Sequence, residues 1–390
     1  MAAITPDSYP IPSIGVERLG TGSSISRARR LTLWQSAYTL NWLMEVTSSK
    51  IPENRRTAPR RVFSPGWEEI LGPVRDYLDR VSQRMEAEVA QFEPEIAEHA
   101  RYALQGQGKQ LRPALVALGA GAVGRTADDH VTIGMVVEMV HLATLVHDDV
   151  MDGASVRRSR PTVGARWGNH LAVLLGDCLF AQAMKVAAAL PADDIFRSLA
   201  VAASAVCTGE ILQSNRRRRW NLRRADYLKM LEMKTAELFA VATELGARHA
   251  GGTREQQKSL RDYGLAIGTA YQIYDDCLDL FGTENAAGKS LGTDLATGKV
   301  TLPLILLLEH ASPSDHAEII GWLERWDPAY SVGLRALLQQ HGCLGESVAT
   351  IESLLVRARE SLASLPSTPE RDALERFPRL IMRQTALLAS

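Results

Sequence analysis

The 390-residue sequence predicts an all-α fold, a bundle of many helices with short loops, and three observations carry that prediction. Apolar residues recur at three- and four-residue spacing through Ile70, Val74, Leu78 and Val81. Long Ala/Leu/Val-rich stretches follow at Leu111 to Val123, Leu171 to Leu190 and Ile195 to Leu212. Runs of β-branched residues alternating with polar ones are scarce.

Taken in order, residues 1–65 read as an N-terminal extension and 66–390 as the main domain. Pro, Gly and Ser are frequent from Thr5 to Ser26, and Pro52, Pro59 and Pro65 punctuate the end, so most of the extension reads as irregular. Leu31 to Val46 fits one short helix that docks on the body, lies on a membrane surface behind Arg27, Arg29 and Arg30, or belongs to a transit-type signal; Asp7 and Glu17 weigh against the signal. From Trp67 onward helix follows helix, with breaks expected at Gly124, Gly153, Pro161, Pro191, Gly251 and Gly252, and from Gly282 to Gly298. A formal net charge of −1 gives no global field toward nucleic acid or an anionic membrane. Cys178, Cys207, Cys277 and Cys343 stand apart with no CxxC pair, which argues against a zinc site or a disulfide framework. No run of about 18 uncharged apolar residues is present, so no membrane span is expected, and a reducing cytoplasm is the default setting.

Chemistry concentrates in EMVHLATLVHDDVMDGASVRRSRPT, Glu138 to Thr162. One continuous helix from Glu138 to Asp152 puts Asp148 and Asp152 on one face, a turn apart, with Asp149 beside them. Like charges that close repel and call for a cation. Carboxylates with room for water suit Mg²⁺, which bridges one or two of them to a substrate phosphate, and the guanidinium forks of Arg157 and Arg158 suit phosphate oxygens. A lone DDxxD is as often a solvated acidic face. Here the spacing recurs: YQIYDDCLDLFG repeats it with Asp275, Asp276 and Asp279 on another helix, and two facing acidic clusters would cage several divalent ions.

Further groups are weaker alone. Lys109 and Arg112 in GKQLRP stand at the head of a helix, a favourable phosphate site, although KxxR is usually a wet face. His141 lies two turns before Asp148 on roughly the same face, where a satisfied core histidine is the commoner outcome. Lys234 and Thr235 sit inside an apolar helix in which an ammonium needs an anion. Gly288 to Pro303 reads as a flexible loop in which Lys289 and Lys299 close over phosphate. Arg216 to Arg219, with Trp220, Arg223 and Arg224, looks like a nucleic-acid patch, but no wider basic surface accompanies it, so a solvated helix end is the better reading.

In combination, GKxxRP, ExxH before DDxxD, RRxxPT after it, GExxQ, KT, YQxxDDxxD and GKxxGxDxxxGK resemble the trans-isoprenyl diphosphate synthases, or polyprenyl synthetases. The resemblance is dense from Gly108 to Pro303, thinner over Trp67 to Ser390, and does not include the first 65 residues. It implies an isoprenoid synthase-type helix bundle around a central cavity, commonly a homodimer, with three Mg²⁺ ions held by Asp148, Asp149, Asp152, Asp275, Asp276 and Asp279. Arg157, Lys234 and Lys299 would then grip an allylic diphosphate, such as farnesyl or geranylgeranyl diphosphate. Lys109, Arg112, His141 and Arg158 would hold isopentenyl diphosphate, with Lys289 on the closing loop and Gln272 and Thr235 lining the reaction centre. The implied catalytic group is Asp148, Asp149, Asp152, Asp275, Lys234 and Gln272, and the released diphosphate serves as base.

Val140, Ala143 and Thr144 lie on one side of the helix before Asp148 and would wall the space below the reacting carbons. Short-chain relatives carry an aromatic near those positions. The small residues here imply a linear all-trans product of about C30 to C50, a length that an aromatic elsewhere would shorten to geranylgeranyl diphosphate. A class I terpene cyclase would need an Asn/Ser/Glu metal motif where this chain has DDCLD, and a non-catalytic subunit of a hetero-oligomer would have lost an aspartate motif. The expected partners are therefore the two diphosphates and a second copy, with no nucleic acid and at most peripheral membrane contact.

Overall fold

The computed structural model describes residues 63–105, 108–190, 193–282 and 292–388. They fall in Arg61–Ser390, one of two units into which the chain divides. The helix expected at Leu31 to Val46 and the cation Lys289 lie outside the described residues. Helices follow one another: α1 (Pro65–Leu71), α2 (Arg75–Val89), α3 (Pro94–Leu104), α4 (Leu111–Gly121), α5 (Asp128–Met151), α6 (Val163–Trp167), α7 (Asn169–Ala188), α8 (Asp193–Asn215), α9 (Arg224–Leu231), α10 (Glu237–His249) and α11 (Arg254–Phe281). A short α12 (Thr293–Thr297) precedes α13 (Leu302–His310), α14 (Pro313–Glu324), α15 (Ser331–Gln340), α16 (Cys343–Ser361) and α17 (Pro369–Ala386). Among the described residues the only strands are β1 (Val156–Arg157) and β2 (Arg160–Pro161), an antiparallel hairpin.

Local chemistry accounts for the ends that matter. At the start of α11 the Thr253 hydroxyl accepts from Gln256 N at 3.3 Å while Gln256 Oε1 accepts from Thr253 N at 2.8 Å, a reciprocal capping box. At the start of α5 no side-chain oxygen is available, and buried His130 takes over. Its Nδ1 accepts from Ala127 N at 2.9 Å, so Nε2 carries the proton and donates to the Gly246 carbonyl at 3.2 Å. The αL glycines Gly153 and Gly251 follow α5 and α10.

Helix α10 is the axis of the core, packed on α4, α5 and α11 with Leu238, Phe239, Val241 and Leu245 buried. Gly119 lets α4 close on it, since a Cβ there would lie 2.6 Å from the Thr243 carbonyl. Three described helices, Asp128–Met151, Asn169–Ala188 and Asp194–Asn215, are long and apolar enough to cross a membrane. They qualify by length and composition, and each still carries charged residues, as Asp177 and Lys185 do in Asn169–Ala188. The first of the three is largely covered inside the bundle, whereas the other two leave Val173, Leu174, Val201 and Ile211 exposed.

Candidate active site

Both aspartate motifs are delivered at the carbonyl end of a long helix. Helix α5 stops at Met151 with Asp152 as its cap residue, and α11 runs through Asp275, Asp276 and Asp279 to Phe281. The unpaired carbonyls there add partial negative charge to the carboxylates, so cations are required.

At the first motif the protein supplies them. Arg157 Nε donates to Asp149 Oδ1 at 2.8 Å, Arg217 Nη2 to Asp152 Oδ1 at 2.5 Å, and Lys299 Nζ to Asp152 Oδ2 at 2.8 Å. Burial alone would raise the Asp152 carboxyl, but Lys299 and Arg217 hold it below the usual carboxylate range. Asp148 lacks so close a counter-ion and is pushed up to about 6, chiefly by burial, with Lys234 opposing. Asp149 is likewise raised by burial against the pull of Arg157.

The cations gather beside this cluster. Arg157 and Arg158 are carried by the β1–β2 hairpin, whose two turn residues, Arg158 (φ 51) and Ser159 (φ 61), are both left-handed. That is the geometry of a type I′ turn without the Asn or Gly that ordinarily makes one. The Arg158 guanidinium closes on Gly108, where a Cβ would lie 2.5 Å from its Nη2. Lys109 lies over the Trp67 ring at 4.7 Å and Arg112 over the Phe239 ring at 4.8 Å. Burial pushes Arg112 down to about 10 despite Glu138, Tyr271 and Asp148, and its buried Nε has no hydrogen-bond partner. Burial, reinforced by Arg112, Arg158 and Arg157, drives the His141 imidazole well below its ordinary value and leaves it neutral at pH 7. Lys109 is lowered by burial and by Arg158, with Asp275 opposing. Cations crowded in low dielectric, one with a stranded donor, make a site that is completed by an anion.

The second motif is engaged differently. Tyr227 donates to Asp276 Oδ2 at 2.6 Å and Gln272 Nε2 to Asp276 Oδ1 at 2.9 Å. Thr293 Oγ1 donates to Asp279 Oδ1 at 3.2 Å and Asp294 N to Asp279 Oδ2 at 3.1 Å. Both residues are buried, and burial, with Asp294 adding, raises the Asp276 carboxyl to about 7. Of the six aspartates expected to share the ions, these two are held by protein donors. Asp276 and Asp279 are buried among these donors, and Asp275 is less buried than either. Among the described residues no three metal-type ligands converge tightly enough to hold an ion unaided. Carboxylates without an ion between them separate toward protein cations, and Mg²⁺ needs one or two of them together with substrate oxygens and water. The donor set Asp148, Asp149, Asp152 and Asp275 therefore fits that ion.

A π-helical turn, Glu232–Ala236, lies between the motifs. It carries Lys234, which pairs with Glu210 and donates to Gln213 Oε1 at 2.9 Å, and Thr235, which donates to Gln272 Oε1 at 3.0 Å. Gly209 permits the approach, since a Cβ there would meet Lys234 N at 2.5 Å. The turn joins the two acidic ends: Lys234 acts on Asp148, and Thr235 reaches Asp276 through Gln272. In the closing segment, Gly292 and Gly298, both left-handed, bracket the helical turn α12, so what reads as a flexible loop contains a fixed element. Val140 and Ala143 are buried in α5, and the Thr144 hydroxyl donates to the His141 carbonyl at 2.8 Å.

Several contributors were not singled out from the sequence: Tyr227, Asp294, Glu210 and Gln213, and above all Arg217. The GExxQ and GxD spacings contain three of these. Arg217 carries no motif, and its contact with Asp152 corrects the reading of Arg216 to Arg219 as a solvated end.

The polyprenyl synthetase family model matches residues 93–332. An octaprenyl diphosphate synthase of Haemophilus influenzae is 33% identical over 298 residues, covering 76% of this chain and 91% of its own length. A short chain isoprenyl diphosphate synthase of Methanothermobacter thermautotrophicus is 31% identical, covering 78% of this chain and 96% of its own length. The crystal structure of a polyprenyl synthase from Caulobacter crescentus, complexed with calcium and isoprenyl diphosphate, superposes with a TM-score of 0.76 at 33% identity, over 83% of this chain and 99% of that one. With two acidic helix ends, a cationic wall between them and these likenesses, the chain belongs to the polyprenyl synthetase family.

Proposed function

We propose that this chain condenses isopentenyl diphosphate onto an allylic diphosphate and releases a linear all-trans polyprenyl diphosphate of about C30 to C50. The observation that carries the reading is the pairing of a carboxylate cluster at the end of α5 with the separate cluster Lys109, Arg112, Arg158 and neutral His141, an arrangement that suits two anions of the same kind side by side. Asp148, Asp149, Asp152 and Asp275 would hold Mg²⁺. When bound, Mg²⁺ neutralises the leaving diphosphate and so lets the allylic C–O bond break. Lys234, Lys299 and Arg157 grip that diphosphate from the protein side. Lys109, Arg112, Arg158 and neutral His141 hold the second diphosphate, and the buried Arg112 Nε gains a partner there. The isopentenyl double bond attacks the allylic carbon, a C–C bond forms, and the proton lost goes to the released diphosphate. Thr235 and Gln272, fixed by their mutual hydrogen bond, orient the reacting end. Electrostatic preorganisation supplies most of the rate.

Product length rests on the small wall residues Val140, Ala143 and Thr144, since relatives of comparable similarity include both an octaprenyl and a short-chain enzyme. The exposed apolar faces of α7 and α8, two adjacent helices, fit a second copy of the chain as cover. Purified protein given Mg²⁺, farnesyl diphosphate and labelled isopentenyl diphosphate should yield linear chains beyond C20; rings, or no product, would sink the reading. Ala143→Phe should shorten those chains, and an unchanged product would remove Ala143 from the wall.

A further inference from the structure

Arg217 lies outside every motif so far assigned. It follows the end of α8, where the chain turns through left-handed Arg218 (φ 57), whose N–H donates to the Gly298 carbonyl at 2.8 Å. Gly298 is itself left-handed, and a Cβ on it would meet Arg218 Cγ at 2.6 Å. This clasp ties the arginine run to the segment carrying Lys299, so that Arg217 and Lys299 stand on the two oxygens of one carboxylate, Asp152. Neighbouring Arg219 is exposed, whereas Arg217 is mostly enclosed and its Nε is buried with no hydrogen bond. A guanidinium with one arm on a carboxylate and a stranded buried donor is half-satisfied, and a second anion offering several oxygens would complete it.

We propose that Arg217 is a further diphosphate-binding residue of this site, acting beside Lys299 on the leaving group. The proposal rests on the function given above. Lys299 has a second carboxylate, Asp294, at 3.6 Å, so Asp152 does not need both protein cations. Once Asp152 is spent on a divalent ion, like-charge repulsion turns both side chains toward another anion, and the diphosphate is the anion that the reaction brings. A purely structural Arg217 would instead remain the counter-ion that keeps Asp152 in place.

The test is calorimetric titration of inorganic pyrophosphate into the full-length protein at saturating Mg²⁺. Arg217→Ala should weaken pyrophosphate binding about tenfold or more, and Arg217→Lys by a smaller factor, because an ammonium keeps the charge but loses the fork. Arg219→Ala removes the same charge nearby and should leave affinity within about twofold. Mg²⁺ binding without pyrophosphate should hold or tighten in Arg217→Ala, since a competitor for Asp152 has gone. Unchanged pyrophosphate affinity in Arg217→Ala, an equal loss in Arg219→Ala, or a matching loss of Mg²⁺ binding alone would each overturn the assignment. Should Arg217→Ala fail to fold, Arg217→Gln and Arg217→Lys give the same reading. If the parent protein binds Mg²⁺ and pyrophosphate but joins no prenyl groups, the proposed function fails while the Arg217 assignment stands; if it binds no pyrophosphate, Arg217 falls.

Discussion

The two aspartate motifs share one spacing and one kind of position, the carbonyl end of a long helix, yet their carboxylates are engaged in opposite ways. In the first, Asp149 and Asp152 are met by charged side chains, Arg157 from the hairpin just after α5 and Arg217 and Lys299 from distant segments, which are long and can re-partner. In the second, Asp276 and Asp279 are met by a phenol, an amide, a hydroxyl and a backbone N–H, mostly short and fixed groups. Charge on charge leaves the first motif open to exchange of one cation for another. Neutral donors make the second a brace that holds Gln272 and the α12 segment in place. Equal spacing in sequence thus specifies where carboxylates sit but not what they do, which depends on the donors other helices bring.

The largest effects should separate the motifs by kind of damage. Asp148→Ala should cut prenyl transfer about 10²- to 10³-fold or more with folding intact, and Asp275→Ala should behave likewise, read from incorporation of labelled isopentenyl diphosphate. Asp279→Ala strands the Thr293 hydroxyl and the Asp294 N–H, so it should cost roughly 2 to 5 kcal/mol of stability, seen in thermal or urea unfolding. If Asp279→Ala folded as well as the parent and lost only activity, the contrast between site and brace would be gone.

A smaller effect sharpens the first motif. The folded-state pKa of Asp148, about 6, lies above its ordinary 3.8, so between those values the folded protein binds more protons than the unfolded chain. Its contribution to the stability of the metal-free protein is present below about pH 4 and is lost as pH rises through 6. Asp148→Asn removes that loss, so its unfolding temperature should match the parent's at low pH and exceed it at pH 8. A difference that does not grow with pH would contradict the burial of this carboxyl. The smallest effect belongs to the hairpin: Ser159→Gly relieves a left-handed backbone and should raise stability by about 0.5 kcal/mol, or about 1 to 2 °C in unfolding temperature.

Much of this was legible in the sequence, for reasons that are local. Period-3.6 apolar residues gave the helices, Gly251 and Gly252 marked the break before α11, and the doubled DDxxD marked the site because two copies of a repulsive pattern are hard to obtain by chance. What was not legible depends on partners far along the chain. Arg217 reaches Asp152 from 65 residues away, and Asp276 turns inward because Tyr227 on another helix awaits it. The Arg158–Ser159 turn lacks the Asn or Gly that announces such geometry, and no residue between Glu232 and Ala236 signals a widened turn.

That widened turn has a consequence for which changes the chain tolerates. A π turn holds one residue more than a regular one, so losing a single residue, Met233 for example, would let the segment relax to ordinary winding with the helices on either side still in phase. Tyr227 would keep its place beside Asp276, but the residues of the turn itself would be redistributed, and Lys234 and Thr235 would no longer point to opposite motifs. A one-codon deletion here should therefore spare the fold and fall on the site.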